Sequence, residues 1–497
     1  SLVEREYPQG LATYYNNLGV VQSRLINLSG NNSFSAFGKP DILKNYLKAL
    51  HYAKKYPVPS FPDFPSHVFI NIAAYYKLTD NKSKELFYIK KAIMSCRKSN
   101  NDYNLSHYYL SLSLYHLRNC DYNKSIKAAD ISLKKRIKLF GRKSLNLIRM
   151  YQILGTCFMN KNKFERASFY FDHGLNIVGI NPTIEVSSKN IERLSYAPSI
   201  IDVLSGKADL FHARFLKSRN LKYLISAFNY YEVLLKIIEY RRKNLVNVES
   251  KFFISAYSSM LFENAINLSS EIYSQSGNIE YLTRVFNLFQ KSKAITLFED
   301  INESEAKLFS QIPECLLRKE NQLKIEIAHY QNLLFERVKK RSELSAAEVK
   351  LLEAKQLLEE LVTKFETNYK TYYDLKYNYS TAGLTDIQLA LTDDEILIEF
   401  FLGEEFIFIF KITKDNYSLE KIRKSKNFDY KIKKFRKCLS PDSISRNDFK
   451  EFSGLSHYFY KVLLKDILSE VPDGASLIII PDGILNYIPF EVLLTEK

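Results

Sequence analysis

Three stretches in the first half of the chain resemble one another at a near-constant spacing, and this repetition constrains the fold most. Apolar, small and aromatic residues recur in similar order from positions 72, 112 and 154, that is, in steps of 40 and 42 residues. The aligned segments are Ile72–Tyr76, Leu112–His116 and Leu154–Phe158. Such a period is typical of stacked helical hairpins, because one hairpin cannot bury its apolar face alone.

A polar turn and a second periodic stretch follow each of these segments. The turns are Thr79–Asn81, Asn119–Asp121 and Asn160–Asn162. Small residues then recur seven positions apart, where two helices must approach closely. The pairs are Ser125 with Ser132, Ala167 with Gly174 and, as a weaker match, Glu85 with Ala92. The sequence therefore predicts helix–turn–helix units.

A second internal repeat lies further along the chain. The segment 220–232 matches the segment 278–290, and both contain a Phe-Asn pair. With Leu154-Gly155-x-x-Phe158 and Phe164–Ala167, the pattern resembles tetratricopeptide (TPR) repeats. We expect five to seven helical hairpins across residues 10–295, with most of the repeated apolar residues in the core. The resemblance implies a surface that binds a peptide or another protein.

Residues 316–378 predict two long antiparallel helices. Apolar residues recur every three to four positions, for example at Leu323, Ile327 and Tyr330. We expect a break at Arg341–Leu344 and a capping box at Ser345–Glu348 that starts the second helix. The hairpin is interpreted as a spacer, with a lever between domains as the alternative.

The periodicity changes after residue 381. Glu395–Phe401 and Phe406–Ile412 are rich in β-branched and aromatic residues, which predicts a β-hairpin through Leu402–Glu405. Helices are predicted at about 428–438 and 451–468. Leu477–Ile480 is a short apolar run that predicts a parallel strand buried on both faces. In the turn that follows, Pro481 restricts φ and Gly483 supplies a positive φ.

The end of the chain resembles the CHAT family of caspase-like cysteine proteases. The residues that carry the resemblance are Pro481, Asp482, Gly483, Leu485, Ile488, Pro489, Phe490 and Glu491. Lys291-Ser292-Lys293-Ala294-x-x-Leu297 and Ile312-Pro313-x-x-Leu316 support it upstream. The family places such a domain directly behind TPR repeats. The resemblance covers residues 200–497, and its motif is structural rather than catalytic.

The catalytic His-Gly and Cys of that family lie downstream of this motif, and the chain ends at Lys497. A caspase-like mechanism needs a thiolate nucleophile and an imidazole acid–base. His173-Gly174 lies in a repeat helix, and Cys438 with His457 precedes the apolar strand. Cys315 is expected at a helix start. We therefore expect no catalytic, cofactor-binding or metal-binding residues in this chain.

Charge and cysteine content bear on nucleic-acid binding and on the cellular compartment. The formal net charge is +16, and residues 411–450 hold 13 basic and 5 acidic residues. Such a stretch favours a solvated surface, with nucleic-acid binding as an alternative in which Phe428, Tyr430 or Phe435 stack on bases. Five scattered cysteines without a CxxC pair indicate a reducing cytoplasm. No apolar run approaches the roughly 18 residues of a membrane helix, so no membrane partner is expected.

These observations predict a mainly α protein: a TPR-like α-solenoid (1–295), a helical hairpin (296–380) and a partial caspase-like α/β domain (381–497). The resemblance implies the partner-sensing portion of a bacterial, cytoplasmic cysteine endopeptidase of clan CD. The chain alone is expected to be inactive and to accept a downstream fragment that carries the His/Cys pair. The alternatives are a non-enzymatic TPR adaptor and a basic nucleic-acid-binding regulator.

Overall fold

The chain is mainly α-helical with a minor α/β portion, as the sequence predicts. It forms two compact units, Ser1–Tyr223 and Leu224–Lys497. The computed structural model describes residues 10–29, 41–57, 61–180, 191, 199–243, 248–293, 307, 312–335, 341–372, 382–439, 446–469, 471–472 and 474–496. Among the described residues, no helix combines the length and apolar character needed to cross a membrane.

The first unit consists of consecutive helices that pack on one another. Their limits are α1 Gly10–Ser29, α2 Ile42–Lys55, α3 Phe64–Leu78, α4 Lys82–Lys98, α5 Asp102–Arg118, α6 Tyr122–Phe140, α7 Ile148–Asn160, α8 Phe164–Val178 and α9 Ile200–Ser218. The three aligned segments lie in α3, α5 and α7, and each of these helices packs against the helix that follows it. The predicted helix–turn–helix units are confirmed.

The three predicted turns end their helices in the same way. Asp80, Cys120 and Asn162 have positive φ angles of 51°, 59° and 57°. The next residue donates its backbone N–H to a carbonyl five positions earlier, as Asp121 does to His116 at 2.8 Å. This left-handed termination satisfies carbonyls at the helix end. Equivalent local geometry at equivalent positions supports one repeated unit.

The small residues lie where the helices cross. Ser125 and Ser132 are fully buried, and the Ser125 hydroxyl lies 3.0 Å from that of Ser113 on α5. A Cβ on Gly155 would come within 2.6 Å of the Phe171 ring, so this crossing requires glycine. Ala92 and Ala167 are also fully buried. Close approach of helices therefore explains the pattern of small residues.

The second unit combines helices with one sheet. Helix α10 Leu221–Lys243 begins three residues before the limit of this unit at Leu224. The helices that follow are α11 Val248–Ser276, α12 Glu280–Ser292, α13 Glu314–Phe335, α14 Arg341–Asn368, α15 Leu384–Ala390, α16 Phe428–Cys438, α17 Arg446–Leu463 and α18 Lys465–Leu468. Its strands are β1 Glu395–Leu402, β2 Phe406–Ile412, β3 Tyr417–Arg423 and β4 Ser476–Ile480. The predicted domain limits after 295 and 380 stay predictions.

The long helical hairpin is antiparallel, because Ile312 before its first helix shares an apolar cluster with Phe365 and Tyr372 at the end of the second. Its predicted break is wrong. Helix α14 begins at Arg341, four residues before the expected capping box at Ser345–Glu348. Residues 341–344 contain no glycine or proline, so they extend the helix.

The sheet has the strand order β3-β2-β1-β4. The predicted hairpin is confirmed: β1 pairs antiparallel with β2, and Phe400 lies opposite Ile409. The predicted parallel strand is confirmed as β4, and its partner is β1. β3 was not predicted, because its sequence Tyr-Ser-Leu-Glu-Lys-Ile-Arg is largely polar. The helix predicted at 428–438 is confirmed, and that predicted at 451–468 starts earlier and breaks near Leu464.

One prediction about the sheet is wrong. Leu477–Ile480 was expected to be buried on both faces, but Leu477 is 37% and Ile478 40% exposed. Among the described residues, β4 stands at the edge of the sheet with β1 as its one partner strand. A run of apolar residues reveals strand propensity, whereas the strand's position in the sheet decides its exposure.

Alternate residues of β1 and β2 face opposite layers of helices. Ile398, Phe400 and Ile409 belong to an apolar core with α16, α17 and the turns after β4. On the other face, the rings of Phe286 and Phe289 in α12 lie 5.5 and 5.6 Å from those of Phe410 and Phe401. Helix α12 carries the second copy of the 58-residue repeat, so a repeat helix covers one face of the sheet.

Candidate functional site

The residues weighed as catalytic candidates are separate side chains without a catalytic arrangement. The His173 Nδ1 lies 2.8 Å from the Phe169 carbonyl oxygen on the same helix, and the His173 ring packs against Phe169. Gly174 lies at a helix crossing, where a Cβ would come 3.4 Å from Val203. The contacts of both residues of the His-Gly dipeptide are therefore those of helix packing.

Cys438 and His457 are not joined by a hydrogen bond in the described part of the chain. Cys438 ends α16, and the Nδ1 of His457 lies 3.3 Å from the carbonyl oxygen of Leu494. Cys315 is the exposed second residue of α13, as expected for a helix start. Burial raises the pKa of the Cys96 and Cys157 thiols, which disfavours their reactive thiolate forms.

The motif residues that follow β4 form two tight turns, Gly483–Tyr487 and Phe490–Val492, on the apolar core. Leu485 and Ile488 are buried, whereas Pro481, Pro489 and Glu491 are not fully buried. Phe490 packs its ring 5.5 Å from that of Phe400. Gly483 has a φ of 54°, which explains the glycine.

Asp482 connects this turn to the end of the central strand β1. Its Oδ2 accepts a hydrogen bond of 2.8 Å from the backbone N–H of Leu402, the last residue of β1. Because β1 and β4 are parallel, both strands end at this edge. Side chains at the carboxyl ends of parallel strands are common places for binding sites, so this edge is the candidate site.

A buried charged cluster lies beside Asp482. The Nζ of Lys293 lies 2.8 Å from Oε1 of Glu399, and Nε2 of Gln290 donates to Oε2 at 2.9 Å. Glu399 is 1% exposed in the middle of β1. Gln290 belongs to α12, and Lys293 directly follows its last residue. The cluster therefore joins the last repeat helix to the central strand.

The electrostatics follow from burial of both partners. Burial raises the pKa of Glu399, while the Lys293 ammonium opposes this shift and the nearby Asp482 charge adds to it. Burial also lowers the pKa of Lys293, against the attraction of Glu399 and Asp482. Each group thus depends on its neighbours to remain charged in a poorly hydrated place.

A second buried carboxylate holds the turn between β1 and β2. Glu263 of α11 accepts three backbone hydrogen bonds, from the N–H of Glu404 at 2.7 Å and from those of Glu405 and Phe406 at 2.9 Å each. A Cβ on Gly403 would overlap its carboxylate, so the turn requires glycine. Three converging N–H groups form a strong anion-binding site, and the Glu263 carboxylate occupies it.

Sequence reasoning missed Glu263, Gln290 and Glu399. Glu399 carried a signal, because a single charge in the apolar run Ile396–Phe401 predicts a buried ion pair. Lys293 and Asp482 were noticed in two separate motifs, and the structure brings both to Glu399. Glu263 had no signal, since its partners are backbone groups far along the chain.

Among the described residues, the cluster at Glu399 contains no thiol or imidazole. Its contacts in the described residues are carboxylates, an ammonium, an amide and backbone groups, which can position a chain segment and hold charge. In the described part of the chain, no group of three or more His, Cys, Asp or Glu side chains is arranged to bind a metal. The arrangement is therefore a junction between repeat helix and sheet.

Comparison of the chain with protein-family models and with curated proteins gives no match. One solved structure similar to this chain is the crystal structure of BtubC (BKLC) from P. vanneervenii. The match has 15% sequence identity and a TM-score of 0.38, and it covers 51% of this chain and 89% of that one. A similarity at this level carries no argument about function.

Proposed function

We propose that this chain is the partner-sensing and scaffolding portion of a CHAT-type, caspase-like cysteine endopeptidase and does not itself supply the His/Cys pair. The observation that supports this best is the junction at Glu399. It connects a repeat-derived helix to the turn that carries the Pro-Asp-Gly motif. The first unit would bind a protein or peptide partner in the cytoplasm and thereby control the protease domain.

The proposed absence of the His/Cys pair provides the direct test. We expect the purified 497-residue chain to cleave no peptide substrate and to be indifferent to thiol alkylation. An extended chain that includes the following codons of its gene should show thiol-dependent cleavage, lost when the downstream cysteine is replaced by alanine. Thiol-dependent turnover by the 497-residue chain, or a downstream frame without His-Gly and Cys, would overturn the proposal.

The edge strand β4 supports a second part of the proposal. Leu477 and Ile478 are exposed there without a charged neighbour within the strand, whereas soluble proteins usually protect sheet edges with charges. We expect a downstream fragment carrying the His/Cys pair to bind along β4. Ile478→Lys should weaken this binding at least about tenfold, and Ser418→Lys on the opposite edge strand β3 should not. Equal effects of both substitutions would reject this binding edge.

A TPR adaptor without enzymatic function is the rival hypothesis. In this hypothesis the first unit also binds a partner, but no catalytic segment follows β4 and the Pro-Asp-Gly turn. Complete absence of cleavage by the extended chain, together with retained partner binding, would favour the adaptor.

A further inference from the structure

Part of the basic stretch at 411–450 forms the exposed side of helix α16. Helix α16 buries Phe428, Ile432 and Phe435, whose spacing puts them on one side of the helix. Tyr430, Lys433 and Lys437 follow a spacing of three and four residues, which aligns them on the opposite, solvent side. We call these three residues the basic stripe.

Among the described residues, no carboxylate forms an ion pair with Lys433 or Lys437 of the basic stripe. Two nearby acidic side chains have other partners: Glu451 pairs with Lys434, and Asp429 lies 3.5 Å from Lys424. Lys433 and Lys437 are both exposed. A concentration of unpaired cations attracts a polyanion and releases its counterions.

Two aromatic rings stand exposed among these cations. Tyr430 is 65% exposed within the stripe, and Tyr487 is 51% exposed with the Arg436 guanidinium 4.3 Å from its ring centroid. Phe428 and Phe435, which the sequence offered as further stacking residues, are buried in the core and cannot contact a base. Tyr430 and Tyr487 are therefore available for stacking, and Phe449 on α17 is exposed as well.

We propose that the basic stripe, together with Arg436 and Tyr487, binds single-stranded nucleic acid. Phosphates would contact the lysines, and unpaired bases would stack on the tyrosines, which is the general chemistry of sequence-tolerant single-strand binding. An acidic peptide would use the cations but not the ring faces. An anionic membrane surface would use exposed apolar side chains beside the lysines, and Leu439 and Phe449 are exposed nearby, so lipid vesicles are included as a competitor in the test.

The test is fluorescence anisotropy of a labelled oligo-dT or oligo-U titrated with the full chain at 50–200 mM salt. We expect binding that weakens as salt increases. Lys433→Glu combined with Lys437→Glu should lower the affinity at least about tenfold and reduce the slope against log salt by about 1.4, since each single-strand phosphate contact contributes roughly 0.7. Unchanged affinity and slope in this variant would overturn the proposal.

A matched control changes the same charge elsewhere. Lys82 and Lys90 are exposed on α4, so Lys82→Glu combined with Lys90→Glu alters the net charge equally and should leave binding within about twofold of the wild-type value. An equal loss in both double variants would mean that net charge alone attracts the oligonucleotide, which contradicts a defined site.

The stacking contribution has its own readout. Tyr430→Ala should weaken oligonucleotide binding about fivefold or more, while Tyr430→Phe keeps the ring and should bind nearly as the wild type does. Polyglutamate and anionic phosphatidylserine vesicles serve as competitors. Displacement of the oligonucleotide by either at equal charge concentration, with no effect of Tyr430→Ala, would assign the surface to that other partner and reject the proposal.

Discussion

The two faces of the sheet are covered in different ways. Towards α16 and α17 the contacts are almost wholly apolar, with Phe400, Ile409 and Phe435 as buried members. Towards α11 and α12, aromatic contacts are combined with the buried carboxylates Glu263 and Glu399. Hydrophobic burial has no preferred direction, whereas hydrogen bonds to buried charges require one geometry.

The comparison indicates that the contacts on the face covered by α11 and α12 fix the position of these helices on β1. Glu263 holds the turn after β1, and Lys293 with Gln290 holds the middle of β1, so α11 and α12 contact the strand at two separate points. Under the proposed function, a partner that moves these helices would change the end of β1 and, through Leu402 and Asp482, the motif turn.

The largest effect is expected on the apolar face. Phe435→Ala should lower the opening free energy of β1 and β2 by about 4 kcal/mol, because it leaves a cavity in a fully buried place. Native-state hydrogen exchange of the strand amides measures this change. Tyr430→Ala on the exposed side of the same helix is the control, and a similar loss there would show that the helix, rather than the core contact, matters.

The next largest effect is expected from Lys293→Met. This substitution should lower the opening free energy of β1 by about 3 kcal/mol at pH 8, because Glu399 remains buried without its cation. Burial already raises the pKa of Glu399, and losing the ammonium raises it further. As pH falls through this raised value, the folded protein takes up a proton that the unfolded chain binds only at lower pH.

The cost of Lys293→Met should therefore be smaller at pH 5 than at pH 8. Exchange protection of the β1 amides at the two pH values gives the comparison. The exposed Lys291, two residues away, provides the control Lys291→Met, which should be neutral at both values. A loss that is independent of pH would argue against a buried, ionised Glu399.

A smaller effect is expected at the hairpin turn. Glu263→Gln keeps the shape of the side chain but replaces one accepting oxygen by an NH2 group, which faces backbone donors. It should cost about 2 kcal/mol and speed exchange at Glu404–Phe406. Gln275→Ala, at an exposed position on the same helix, should change little. Unaltered exchange at the turn would show that the amide oxygen of glutamine accepts these hydrogen bonds as well as the carboxylate does.

The smallest effect should come from replacing the whole ion pair. Lys293→Met combined with Glu399→Met should lie within about 1 kcal/mol of the wild type in β1 exchange, since apolar packing offsets the lost pairing. Greater loss than in Lys293→Met alone would mean that Glu399 stabilises the strand through Gln290 or Asp482 even without its cation.

Local sequence predicted much of the fold but little of the candidate site. Turn residues such as Asp80 and Asn162 and small residues such as Ser125 and Gly155 act within one hairpin, so their spacing revealed the repeats. Strand propensity likewise revealed β1, β2 and β4. The polar strand β3 escaped because its pairing with β2 outweighs its weak intrinsic preference.

The sequence by itself determined the order of elements: helical hairpins, a long hairpin and a sheet that ends in a Pro-Asp-Gly turn. These depend on periodicity and turn chemistry over a few residues. Only the tertiary structure decided that β4 is an exposed edge, that α12 covers the sheet, and that Lys293, Glu399 and Asp482 share one buried place. The reason is physical: burial and charge pairing depend on neighbours that lie a hundred residues away in the chain.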